Sequence, residues 1–139
     1  ARRQRQMCIR DRIYTLDTHF DDYLTTAEGK SLPVPHCIKG TVGHKLYGGL
    51  ADALKGKLCF EKNTFPSLEM AKYLEGKDFD TIELCGLVSN ICVLSNAVMA
   101  KSACPNSEII VDSSLTAAAD EEIHQKSLDV MKGLFIKVL

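Results

Sequence analysis

The sequence predicts an α/β fold: a mostly parallel sheet with helices on both faces, in three layers. Two observations carry this reading. Short apolar runs alternate with helical patterns along most of the chain. Those runs are nearly continuous rather than strictly alternating, as expected of strands covered on both faces. With 139 residues, 45% of them hydrophobic and 25% charged, the chain has enough apolar material for a core.

The elements follow in order. Ile13–Leu16 reads as a short strand, and residues 17–44 as a long loop rich in Asp, Gly, Pro, His and Thr. A helix is expected over Lys45–Leu54, and a second strand over Lys57–Glu61. Ser67 has the character of an N-cap for a helix reaching about Leu74. A third strand covers 81–86 and a helix runs from about Ile91 to Ala103. The strand Glu108–Asp112, a helix from about Ala119 to Met131 and a last strand near Leu134–Val138 complete the chain. No internal repeat or low-complexity linker interrupts this order.

Charge is unevenly spread. Residues 1–12 hold five arginines and one aspartate, without aromatic interleaving or amphipathic spacing. This opening resembles translated adapter sequence and is expected to be foreign to the fold, or a disordered tail. Residues 13–139 are then the domain proper, with 12 basic and 17 acidic residues, so the net charge moves from −1 to −5. A mildly acidic body argues against a nucleic-acid face. No secretory signal or membrane-spanning run occurs, so a cytoplasmic setting with reduced thiols is expected for the six cysteines. The absence of any C-x-x-C pair excludes a thioredoxin-type redox site and a cysteine-rich zinc site.

The segment Cys85-Gly-Leu-Val-Ser-Asn-Ile-Cys92-Val is the richest in chemistry. It places Cys92 where a buried strand gives way to a helix. The helix dipole and free backbone N–H groups there lower a thiol's pKa and can bind an oxyanion. Cys59 and Cys85 lie inside apolar strand-like runs and read as core residues. In open α/β sheets, ligands bind beyond the carboxyl ends of the strands. Asp17, His19, His36 and Lys62 join Cys92 at such positions. A carboxylate and two imidazoles suit Zn, Mn or Fe. A lysine beside a thiol stabilises the thiolate. His44 and His124 read as structural.

These residues carry a resemblance. Thr-Leu-Asp17-Thr-His19, Pro-His36-Cys-Ile-Lys-Gly-Thr, Lys62-Asn-Thr-Phe and Gly86-Leu-Val-Ser-Asn-Ile-Cys92-Val are similar to motifs of the isochorismatase-like cysteine hydrolases, most closely the nicotinamidase-related branch. The resemblance covers residues 13–139. It implies a Rossmann-like sheet, a cis peptide between Leu87 and Val88, and an oxyanion hole of the Val88 and Cys92 N–H groups. It also implies that Asp17, His19 and His36 hold a divalent metal, Zn before Mn or Fe. The implied reaction is hydrolysis of a small amide through a Cys92 thioester, with nicotinamide as the leading substrate, a place in NAD salvage, and Lys62 steadying the site. Self-association into a homo-oligomer is implied for the full-length form.

Three departures bear on that expectation. The family's general acid/base is an aspartate in an apolar-Asp-x-Gln motif on the first strand, and no Asp-x-Gln step occurs in this sequence. By resemblance that strand is central, in the order 3-2-1-4-5-6, so its loss leaves unpaired edges on two neighbours. The chain is therefore expected to be an N-terminally truncated, inactive fragment. Thr18 stands where nicotinamidases often carry an aromatic residue, and Leu68 matches another aromatic position, so Phe20 and Phe65 are the candidate pocket aromatics. Hydrolysis of another small amide or carbamoyl compound, and a non-catalytic binding domain, are the alternatives.

Overall fold

A computed structural model describes residues 11–139, so the first ten residues of the arginine-rich opening, with Cys8, lie outside the described residues. The chain divides into two compact units, one ending at Asn63 and the other running from Thr64 to Leu139. Among the described residues five strands pair in two sheets, and all of that pairing is parallel. Helices and parallel strands alternate as the sequence predicts.

In the first unit, β1 (Ile13–Asp17) pairs with β2 (Leu58–Lys62) from Ile13 opposite Leu58 to Asp17 opposite Lys62. The strand direction continues past β1, where Thr18 N–H donates to the Lys62 carbonyl at 2.8 Å and His19 bridges to Ile38. The connecting loop is more ordered than its composition suggests. It carries a 3-10 turn at Tyr23–Thr25, a short helix α1 (Ala27–Ser31) and a second 3-10 turn at Val42–His44. Tyr23, 1% exposed, anchors the loop, and its hydroxyl donates to the Leu32 carbonyl at 2.8 Å. The helix expected over Lys45–Leu54 shrinks to α2 (Leu50–Ala53). Gly48, at φ +57, supplies a left-handed break that a helix cannot pass.

The second unit holds the sheet β3–β4–β5, made of Thr81–Leu87, Glu108–Ala117 and Lys137–Val138. Helix α3 (Leu68–Leu74) packs on α4 (Leu94–Ala103), and α4 and α5 (Glu121–Gly133) pack against the sheet. Its core is built from Leu74, Val93, Ala97, Ala100, Ile109, Val111, Leu128, Met131 and Ile136, all buried. Along α5 the buried residues His124, Ser127, Leu128 and Met131 repeat at helical spacing. Ser67 caps α3 by accepting the Met70 N–H at 3.1 Å, and Asp120 caps α5 by accepting the Ile123 N–H at 2.8 Å.

Among the described residues the strands pair as β1–β2 and β3–β4–β5, consistent with the expected parallel α/β fold. Among the described residues β1 pairs only with β2, and β3 only with β4. One expectation is corrected. Cys85, read as a core residue, is exposed on β3, whose described strand partner is β4 alone. Cys59 is half-buried, and burial pushes its thiol pKa up. β4 runs five residues past the expected end, through a register shift between Leu84 and Gly86 of β3.

Asn96 is the polar clasp of the second unit. Its Oδ1 accepts the Ser67 N–H at 2.9 Å, while its Nδ2 donates to the carbonyls of Cys92 at 2.9 Å and Phe65 at 3.2 Å. With the side chain 6% exposed, Asn96→Ala removes these three bonds from a buried site. The expected loss is about 3 kcal/mol, read from the urea midpoint at unchanged m. A loss below about 1 kcal/mol would mean that water replaces the amide.

Candidate functional site

The candidate residues fall in both units, and each set is described within its own. In the first unit, His19 leaves the end of β1 with its backbone clamped on both sides. Its N–H donates to the Cys37 carbonyl at 2.9 Å, and its carbonyl accepts the Lys39 N–H at 2.8 Å. That bridge draws the segment carrying His36 alongside His19. The two imidazole centroids stand 4.7 Å apart, edge to face, and each ring also packs on Tyr23.

The carboxylate that faces both rings is Glu28, on α1. Its Oε2 lies 3.1 Å from His19 Nε2 and 3.8 Å from His36 Nε2. Despite this approach the oxygen is buried and accepts no aligned hydrogen bond. On His36 the opposite nitrogen, Nδ1, is 2.7 Å from the Val34 carbonyl, to which it donates, and Nε2 faces Glu28. Ligand atoms of His19, Glu28 and His36 all lie within 4.8 Å of one another. Two imidazole nitrogens and an unsatisfied carboxylate oxygen fit a borderline divalent cation such as zinc.

Asp17, the carboxylate the sequence reading assigned to this set, is not in the trio. It stands opposite Lys62 in the β1–β2 register, and its Oδ1 contacts the Lys62 ammonium directly. Lys62 is 7% exposed, and a buried ammonium requires such a counter-charge. Thr18, between Asp17 and His19, is buried and bonds His44 Nε2 through its hydroxyl at 2.8 Å. Phe20 is 54% exposed and Phe65, in the second unit, 37%.

Sequence reasoning missed Glu28 because it lies in a loop, where no periodicity marks it. The signals present were local. Thr26 caps α1 by accepting the Gly29 N–H at 3.0 Å, which sets Glu28 in the first turn. Gly29 lies so close to Tyr23 that a Cβ there would stand 1.9 Å from the Tyr23 carbonyl oxygen. The glycine is what lets the Glu28 turn sit against the anchor of the loop.

In the second unit, β3 ends at Leu87, and the Leu87–Val88 peptide is cis. The chain then makes one π-helical turn, Ser89–Val93, that flows into α4. The Val88 carbonyl accepts the N–H of Ile91 at 3.2 Å and of Val93 at 3.1 Å, so the wide turn closes on one oxygen. Cys92 sits in this turn, half-buried, with its carbonyl held by Asn96. Cys104, by contrast, is buried and burial pushes its thiol pKa up. None of the described cysteines forms a disulfide. Behind the turn, Ser89 meets Thr116 and His124, a buried polar set that sequence reasoning did not assemble.

Comparison with known proteins adds the following. The isochorismatase domain model matches residues 4–139. No curated protein matches the chain. Among solved structures, the pyrazinamidase/nicotinamidase of Streptococcus mutans superposes with a TM-score of 0.81 at 26% identity, covering 99% of this chain and 80% of that one. The nicotinamidase of Bacillus subtilis gives 0.79 at 25% identity, over 97% of this chain and 77% of the other. The pyrazinamidase of Pyrococcus horikoshii, solved in complex with zinc, gives 0.77 at 21% identity, over 99% and 79%. Among the described residues no helix is long and apolar enough to cross a membrane.

Proposed function

The chain belongs to the isochorismatase domain family, and from that premise we propose a cysteine-dependent amidohydrolase site that takes nicotinamide. The observation that carries the reading is the placement of Cys92 in a hydrogen-bonded turn between the end of β3 and the start of α4. In the proposed reaction the Cys92 thiolate attacks the amide carbonyl and a C–S bond forms. The Val88 and Cys92 N–H groups receive the oxyanion. The C–N bond breaks as the nitrogen is protonated and leaves as ammonia. Water then attacks the thioester, the C–S bond breaks, and the acid is released with the thiol restored.

Lys62 takes the role of the family's site lysine, held in place by Asp17. His19, Glu28 and His36 would hold the divalent metal, with Asp17 as their family-implied companion. When bound, such a metal offers a Lewis-acid anchor for an electron-pair donor on the substrate. Phe20 and Phe65 are the proposed pocket aromatics. Thr18, spent on His44 rather than offering an aromatic face, favours a second reading, a smaller non-aromatic amide or carbamoyl compound. The setting proposed is the cytoplasm, and self-association is proposed for the full-length form.

Proton transfer is the step for which this sequence offers no family residue, since it contains no Asp-x-Gln step. The thiol proton needs a base, and ammonia needs an acid. We therefore expect the 139-residue chain to bind but not turn over nicotinamide. The test measures ammonia release with zinc present, against a Cys92→Ala control. Release no faster than the control is expected. Sustained release lost in Cys92→Ala would overturn the inactivity while upholding the nucleophile, and sustained release kept in Cys92→Ala would overturn the assignment of Cys92.

A further inference from the structure

Ser89 opens the turn that carries Cys92, and it is 0% exposed. Its hydroxyl is met by two groups from distant parts of the second unit. Thr116 Oγ1, near the end of β4, lies 2.9 Å away, and His124 Nδ1, on α5, lies 2.7 Å away. Both partners are buried, at 8% and 7% exposure. The three groups form a hydroxyl–hydroxyl–imidazole chain satisfied in either direction. His124 Nδ1 can donate to Ser89, which then donates to Thr116; or Thr116 donates to Ser89 and Ser89 to His124.

Other bonds of the turn start from its own helix. The Val88 carbonyl is capped by Ile91 and Val93, and the Cys92 carbonyl by Asn96 one turn on. Ser89 is thus the point at which side chains of β4 and α5 grip the turn from outside. We propose that His124 is a positioning residue for Cys92. By holding Ser89 it fixes the direction of the turn, and with it the Cys92 thiol and the Val88 and Cys92 N–H groups. His124 does not act on substrate itself. The inference rests on the reading of Cys92 as the nucleophile, and a misplacement near 1 Å at such a site costs up to about a hundredfold in rate.

The opposing account is a core histidine that merely satisfies its hydrogen bonds. Two substitutions separate them. His124→Asn keeps an amide group near the position of Nδ1, whereas His124→Gln carries it one bond further, toward the position of Nε2 and away from Ser89. Iodoacetamide alkylation of the full chain is followed by peptide mass spectrometry. Exposed Cys85 serves as the reference and buried Cys104 as the sentinel of unfolding. The Cys92-to-Cys85 rate ratio is expected to fall about tenfold in His124→Gln and in Thr116→Val, and to stay within about threefold of wild type in His124→Asn. A ratio unchanged in His124→Gln, or equal losses in the Asn and Gln variants, would overturn the proposal. So would rapid Cys104 labelling in both, which would make His124 a folding residue. Alkylation needs no substrate, so the two readings fail separately. Wild-type Cys92 reacting no faster than Cys85 would sink the nucleophile, whereas a fast Cys92 indifferent to His124 would sink only the positioning role.

Discussion

Zinc should raise the unfolding temperature of this chain, and Glu28→Gln should remove most of that rise. A ligand that binds only the folded state stabilises it by about 3 kcal/mol at a hundredfold excess over its dissociation constant, and about 4 at a thousandfold. His19, Glu28 and His36 bring their ligand atoms within 4.8 Å of one another, and the Glu28 oxygen is buried without an aligned donor. That lone oxygen makes a crossed pattern the signature. With a chelator present, Glu28→Gln should unfold close to wild type, because it removes charge from a buried oxygen that no aligned donor meets. With zinc present it should fall behind by about 3 kcal/mol. Thermal unfolding under both conditions checks this, and an equal zinc response in the two proteins would remove Glu28 from the metal set.

Gly29→Ala should lose stability and zinc response together. The added Cβ would stand 1.9 Å from the Tyr23 oxygen, 2.8 Å from its carbonyl carbon and 2.9 Å from the Leu24 Cα. All three are backbone atoms, so no side-chain rotation relieves the clash. The turn from Tyr23 through α1 must open, at a cost of about 3 kcal/mol or more. Because that turn carries Glu28, the candidate metal trio should open with it. Gly43→Ala is the control, since its Cβ would meet only the Thr41 hydroxyl oxygen, at 3.8 Å. Urea unfolding and zinc titration of the two variants give the comparison. Wild-type zinc affinity in Gly29→Ala would show that the trio tolerates a rebuilt loop.

What the sequence makes legible here follows from periodicity and end signals. The strands containing Leu16, Phe60, Leu84 and Val111 stand where apolar runs placed them, and Ser67 caps α3 as its residue type suggests. The strand-to-turn-to-helix setting of Cys92 was readable for the same reason. Glu28 was not, because a ligand trio closed by a loop depends on how Tyr23 and Gly29 pack, and no spacing rule encodes that. Asp17 meets Lys62 across the ladder, a contact that its distance along the chain from His19 does not encode. Cys85 lies in a run apolar enough for a core and is nevertheless exposed, because composition does not encode which face of a strand is covered. The Ser89–Thr116–His124 set joins residues from three separate stretches, and only the fold brings them together.

The account stands on Cys92 as the nucleophile of an acyl-transfer site, and an aldehyde tests this without needing proton delivery to a leaving group. Pyridine-3-carboxaldehyde adds a thiolate reversibly and presents an oxyanion where the amide's tetrahedral intermediate would place one. Such mimics of the reacting state bind at least about a hundredfold more tightly than the corresponding substrate. The measurement is protection of each cysteine from iodoacetamide by the aldehyde and by nicotinamide, resolved by peptide. The expected result is selective protection of Cys92, by the aldehyde far below the nicotinamide concentration needed, with Cys85 unaffected. Aldehyde protection no greater at Cys92 than at Cys85 would contradict the account.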